Sequence, residues 1–104
     1  MIYLLADIEV APGKMQEYKD VFGGDYLSRL TQLGRKLTGA WETEIGPRNT
    51  IVDLWQFESA AHLFEIRERQ AKDGVLKKLD TRLRPLISHH TLRIVKPVSF
   101  SPMQ

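Results

Sequence analysis

Two strand-like runs, residues 36–45 and 50–57, are separated by Gly46, Pro47, Arg48 and Asn49, a stretch with the composition of a hairpin turn. This hairpin constrains the fold more than any other feature, because on each side of it lies one helical pattern and one further strand-like run. On the N-terminal side, residues 2–10 alternate, with Ile2, Leu4, Ala6, Ile8 and Val10 on one face and Tyr3, Leu5, Asp7 and Glu9 on the other. Pro12 and Gly13 stop that strand. From Lys14 to about Leu33, Met15, Tyr18, Phe22, Leu27, Leu30 and Leu33 recur at helical spacing. Gly23 and Gly24 interrupt this helix, and Gly34 is its expected C-cap.

On the C-terminal side, Ser59 is placed to cap a helix that runs to about Ala71 and breaks near Asp73-Gly74. A second helical piece carries Val75, Leu76, Leu79 and Leu83 until Pro85 ends it, and residues 88–96 form the last strand. The tail from Pro97 is expected to be extended. The order β-α-β-β-α-β predicts one ferredoxin-like α+β domain over residues 1–104: a four-stranded antiparallel sheet with its helices on one face and the other face open.

A four-residue hairpin loop would set Ile45 opposite Thr50, Thr43 opposite Val52 and Trp41 opposite Leu54, all turned toward the helices with Ile2, Leu4 and Ile8. The open face would then carry Glu42 beside Asp53 and Ala40 beside Trp55. Tyr3, Leu5, Asp7 and Glu9 join it, with His89, Thr91, Arg93 and Val95 from the last strand. Paired acids on an aromatic-rich face need a cation or a cover. A second subunit, packed sheet to sheet, would cover the aromatics and bring Arg48, Arg93 or a histidine to the acids, so a homodimer is expected.

The balance of 15 basic and 13 acidic residues leaves a net charge of +2, which gives nucleic acid binding no support. Between Arg67 and Arg84 the charges alternate in sign, as on a solvated helix face. The chain contains no cysteine, which removes disulfides, thiolate nucleophiles and thiolate metal sites and points to the reducing cytosol. Met1 leads directly into a strand, and no apolar run approaches the roughly 20 residues of a spanning helix, so a cytoplasmic chain without membrane insertion is expected.

Candidate chemistry rests on few residues. Asp53 stands alone among Ile51, Val52, Leu54, Trp55 and Phe57, and with His89 it is the candidate for a working ionisable group. His89 and His90 are adjacent on a strand and point to opposite faces, and His62 lies early in a helix. No carboxylate-histidine set has ligand spacing, so neither a metal nor a cofactor is expected. Trp41 and Trp55 fall on opposite faces. With Tyr3 and Tyr26 they are the candidates to line a pocket for a small organic ligand, against the plainer reading of core packing. The serines sit in no nucleophile elbow and the glycines in no phosphate loop.

"GAWETEIGP" (39–47) followed by "VDLWQF" (52–57) resembles the signature of the NIPSNAP family, and "MIYLL" with "PGK" (12–14) and "RLRPLI" (82–87) fit the same pattern. The resemblance spans nearly the whole chain. It implies a dimeric α+β barrel, in which two ferredoxin-like subunits join their sheets, and a family without a settled activity. Its fold relatives include cofactor-independent quinol monooxygenases. Similar proteins carry histidine before the Leu-Trp pair where this chain has Asp53, so imidazole chemistry does not carry over to that position. The expectations are therefore a ligand-binding dimer, with a monooxygenase acting on a phenol and a pure protein-interaction module as alternatives.

Overall fold

A computed structural model describes residues 1–104. The elements are β1 (Ile2–Val10), α1 (Met15–Val21), a π-helical turn (Phe22–Tyr26), α2 (Leu27–Gln32), β2 (Lys36–Glu42), β3 (Thr50–Phe57), α3 (Ala60–Lys72), α4 (Gly74–Leu83), a 3₁₀ turn (Arg84–Leu86) and β4 (Ile87–Val95). The four strands form one antiparallel sheet in the order β2-β3-β1-β4, which with the helices gives the ferredoxin-like α+β fold. The molecule is a slab of 40 × 37 × 18 Å, the thickness of one sheet and one helical layer.

The helices end where local chemistry ends them. Ser59 accepts from the His62 N–H at 3.1 Å to cap α3, and Asp73 accepts from the Leu76 N–H at 2.9 Å to cap α4. Arg29 of α2 grips the same Asp73 carboxylate through two nitrogens, at 3.0 and 2.5 Å, and this with the Leu76 N–H pulls it to about 2. Gly34 adopts φ +106°, and the N–H groups of Gly34 and Arg35 return to the carbonyls of Thr31 and Leu30. This Schellman turn closes α2 and sends Arg35 directly under the helices. The glycine pair at 23–24 lies in the π-helical turn joining α1 to α2, where Gly24 leaves helical dihedrals. A side chain at either position would touch nothing, so the pair makes a joint and not a close contact.

The hairpin differs from the expected one. Pairing stops at Thr43 and Thr50, whose backbones bond at 2.9 Å and whose hydroxyls bond at 2.6 Å, and the loop spans 44–49. Trp41 therefore faces Val52, Ala40 faces Asp53 and Glu42 faces Ile51, and an irregularity between Leu37 and Gly39 shifts the rest. Across β1 the partners are Ile2 with Phe57, Leu4 with Trp55, Ala6 with Asp53 and Ile8 with Ile51. The odd residues of β3 thus lie under the helices, opposite to the expected facing, and Val52 and Leu54 lie on the open face. Bulk decides the matter: Ile51, Trp55 and Phe57 bury far more apolar surface than Val52, Leu54 and Gln56 would, and Asp53 goes inward with them. For β1 and β4 the facing is as expected, with His89, Thr91, Arg93 and Val95 beside Glu9, Asp7, Leu5 and Tyr3.

Candidate functional site

Small residues make room around Asp53. Its neighbours across the sheet are Ala6 on one side and Ala40 on the other, so the carboxyl has space above it between sheet and helices. That space is a cavity of about 240 Å³, walled chiefly by Leu4, Ile8, Phe22, Leu30 and Trp55. Its exposed lining residues, Arg67, His90 and Leu92, mark a mouth between α3 and the edge strand β4, whose inner face no helix covers.

Three rings of the first helical layer roof the cavity. Tyr18 stacks on Phe22 at 5.5 Å between centroids, Phe22 lies 5.3 Å from Tyr26, and Phe22 meets Trp55 edge to face at 6.3 Å. In an unbroken α-helix a side chain four positions on is rotated by about 40° from its predecessor. The wider π-helical turn between Phe22 and Tyr26 takes that rotation back and keeps the third ring in line.

The polar groups of the site are deeply placed. Asp53 is 2% exposed, and burial raises its carboxyl to about 6 against an opposing pull from the Arg35 cation. Burial likewise lowers Arg35 to about 10, with Tyr26 and Asp53 resisting, so it stays a cation at neutral pH. Its guanidinium lies 4.0 Å from the centre of the Trp55 ring. The Tyr18 hydroxyl is pushed above its ordinary value by burial and then by Asp53. Three residues of the cavity lining each carry a buried polar atom without a hydrogen-bond partner in the protein: Tyr18 Oη, Arg35 Nε and Gln70 Oε1. Few such atoms occur in a folded domain, and here they share one cavity.

Of the residues expected at a site, Asp53, Trp55 and Tyr26 come together here. Tyr26 brings a ring but not a free hydroxyl, because its O–H donates to Asp80 Oδ1 at 2.9 Å. The others do not join them. Trp41 stands 57% exposed on the open face. Tyr3 lies on that same face, covered by the C-terminal tail, and its O–H donates to the Gln104 carbonyl at 2.9 Å. His89 pairs with Glu9 on the open face, so its neighbour His90 is the histidine at the cavity mouth. Asp53 has no carboxylate opposite it, contrary to the expected Glu42 pairing; Glu42 instead pairs with Lys19 at 2.5 Å.

Sequence reasoning passed over Arg35, Gln70 and the Tyr18 hydroxyl. Arg35 lies just before β2, outside the expected strand, so strand alternation did not assign it a face. Tyr18 was read by its helical spacing as core, and spacing says nothing of where a hydroxyl points. No group of three or more His, Cys, Asp or Glu side chains is arranged to hold a metal ion, and no helix is long and apolar enough to cross a membrane.

Residues 3–102 match the family model described as NIPSNAP. The human protein NipSnap homolog 3A is 31% identical over 74 residues, 70% of this chain and 29% of that protein, so the chain spans under a third of this relative's length. A NIPSNAP family protein from Agrobacterium tumefaciens superposes with a TM-score of 0.92 at 30% identity, covering 99% of this chain and 98% of that one. An uncharacterized NIPSNAP domain protein from Burkholderia xenovorans does so at 0.91 and 25% identity, covering 98% and 99%. A putative antibiotic biosynthesis monooxygenase from Nitrosomonas europaea reaches 0.70 at 9% identity, over 94% of this chain and 99% of that one, which is a likeness of fold alone.

Proposed function

The chain belongs to the NIPSNAP family, for which no specific activity is established, and we propose that it is a ligand-binding domain that works as a homodimer. The cavity over Asp53 is the binding site, and a small ring compound is what it takes. The observation that carries this reading is that three residues with unpartnered buried polar atoms and one buried carboxyl line a single, largely apolar-walled space. Keeping such groups unpaired costs on the order of 1–3 kcal/mol each, a penalty that water relieves in part and a fitted ligand relieves more fully. The volume suits the role, since a cavity of roughly 150 Å³ already admits benzene.

The dimer half of the proposal draws on the helix-free face. Trp41 and Val95 are exposed there, and Leu5, Val52 and Leu54 are half-buried, so the sheet offers a broad apolar patch for a second copy. The absence of cysteine fits work in the reducing cytosol.

Phenol at millimolar concentration tests the binding half. It is expected to shift the indole N–H resonance of Trp55 at the cavity wall and to leave that of Trp41 in place. A Leu92→Trp variant, narrowed at the mouth, should weaken the effect about fivefold. A resonance of Trp55 that does not move, or a response confined to Trp41, would count against the site.

A further inference from the structure

The polar atoms around the cavity separate into donors and acceptors, and that division narrows what fits between them. Arg35 Nε can only donate, and the Tyr18 hydroxyl, raised by its surroundings, keeps a proton to donate while its oxygen can also accept. The Arg35 guanidinium carbon sits over the Trp55 ring, 4.0 Å from its centre, and both residues line the cavity. Asp53 and Gln70 Oε1 are the acceptors. Tyr26 adds no donor, because its O–H is given to Asp80 Oδ1.

Simple ligand classes leave one set unmet. A hydrocarbon ring satisfies neither. A carboxylate satisfies the donors but brings a like charge beside Asp53, and an ammonium pairs with Asp53 but brings a like charge beside Arg35. Tyr18, Arg35, Asp53 and Gln70 all line the one cavity of about 240 Å³, so a single small molecule can meet donors and acceptors together. The cavity exceeds the volume that holds a bare ring by the space of a few substituent atoms.

We propose that the cavity selects a neutral, single-ring compound carrying a hydroxyl and a separate carbonyl oxygen, the hydroxyl donating to Asp53 and the carbonyl accepting from Tyr18 and Arg35. This rests on the reading that the cavity takes ring compounds, and it names their chemistry. The two polar ends fix orientation, and the aromatic roof supplies contact area.

Titrations of the full chain with matched probes test it, each followed at the Trp55 indole N–H. The probes are meta-hydroxyacetophenone and its para isomer, meta-methoxyacetophenone without the donor, meta-ethylphenol without the carbonyl, and meta-acetylbenzoate as an anion. One hydroxyacetophenone isomer is expected to bind about tenfold more tightly than any of the other three types, since each truncation strands a buried partner. Tyr18→Phe should cost that isomer about fivefold and leave meta-ethylphenol unchanged, a split that general damage to the fold would not give. Equal binding of all probes would overturn the proposed selectivity while leaving ring binding intact, and preference for the benzoate would overturn it in favour of an anion site. If no probe moves the Trp55 signal, both the selectivity and the ring-binding reading fall.

Discussion

Asp53→Asn is expected to remove most of a decline in stability that the parent protein shows between about pH 4 and pH 7. The carboxyl has a value of 3.8 when free and about 6 in the fold, because burial penalises its charged form more than Arg35 rewards it. The folded protein therefore holds the Asp53 proton more tightly than the unfolded chain. This stabilisation is complete below the free value and is lost as pH rises through about 6. With about 1.4 kcal/mol for each pH unit of difference, the amount at stake is on the order of 3 kcal/mol. Denaturant unfolding across this range should show the slope in the parent and not in the asparagine variant, whose neutral amide does not titrate. Equal slopes in the two proteins would mean that Asp53 is not desolvated.

Trp41→Glu is expected to convert the proposed dimer into a monomer at micromolar concentration. Its indole lies flat on β2, so close over Gly39 that a methyl group there would sit 2.5 Å from the ring. An outward-facing aromatic platform of this kind is what interface centres are built from, and truncating such an anchor costs about 2–4 kcal/mol, a factor of about 30 to 1,000 in the dissociation constant. Because the side chain is more than half exposed in the single chain, the substitution leaves the core untouched. Leu54→Asp, on the neighbouring strand of the same face, should act in the same direction. Light scattering should give the parent twice the 12.0 kDa chain mass and each variant the single mass. A monomeric parent, or variants that stay paired, would set the sheet-to-sheet dimer aside.

Much of this molecule was legible in its residue order, for reasons visible at particular positions. Ser59, Gly34 and Pro85 fixed helix ends because each makes a local bond or dihedral that needs no distant partner. The facing of β1 followed from a strand with one uniformly apolar side. In β3 that test had little to grip, since Val52 and Leu54 oppose Ile51, Trp55 and Phe57 and both faces are oily. The expected facing follows from the pairing of an assumed four-residue hairpin loop, which turns Val52 and Leu54 inward, whereas the burial of Trp55 and Phe57 outweighs the cost of one carboxyl and sets the opposite facing. The hairpin went astray for a related reason: Gly46-Pro47-Arg48-Asn49 marks a turn but not how far the strands pair beyond it, and the paired hydroxyls of Thr43 and Thr50 set that limit.

The site was harder to see than the fold because it depends on which residues are missing beside Asp53. Ala6 and Ala40 read as ordinary strand positions until the register sets both of them against the acid and opens the space above it. His89 and His90 differ by one position and so by an entire face, and only the pairing with β1 decides which of them meets the cavity. Tyr18 of α1 and Arg35, the residue before β2, line the same cavity, a meeting that no spacing rule records.

The central claim is that Asp53 stands in a desolvated cavity under the helices, within reach of Arg35, and its most direct test is a carboxyl-carbon NMR titration of that residue in the intact protein. The expected midpoint lies near 6, and it should move further upward in an Arg35→Met variant that takes the cation away. A midpoint near 4, unchanged by that substitution, would place the acid in water and contradict the account.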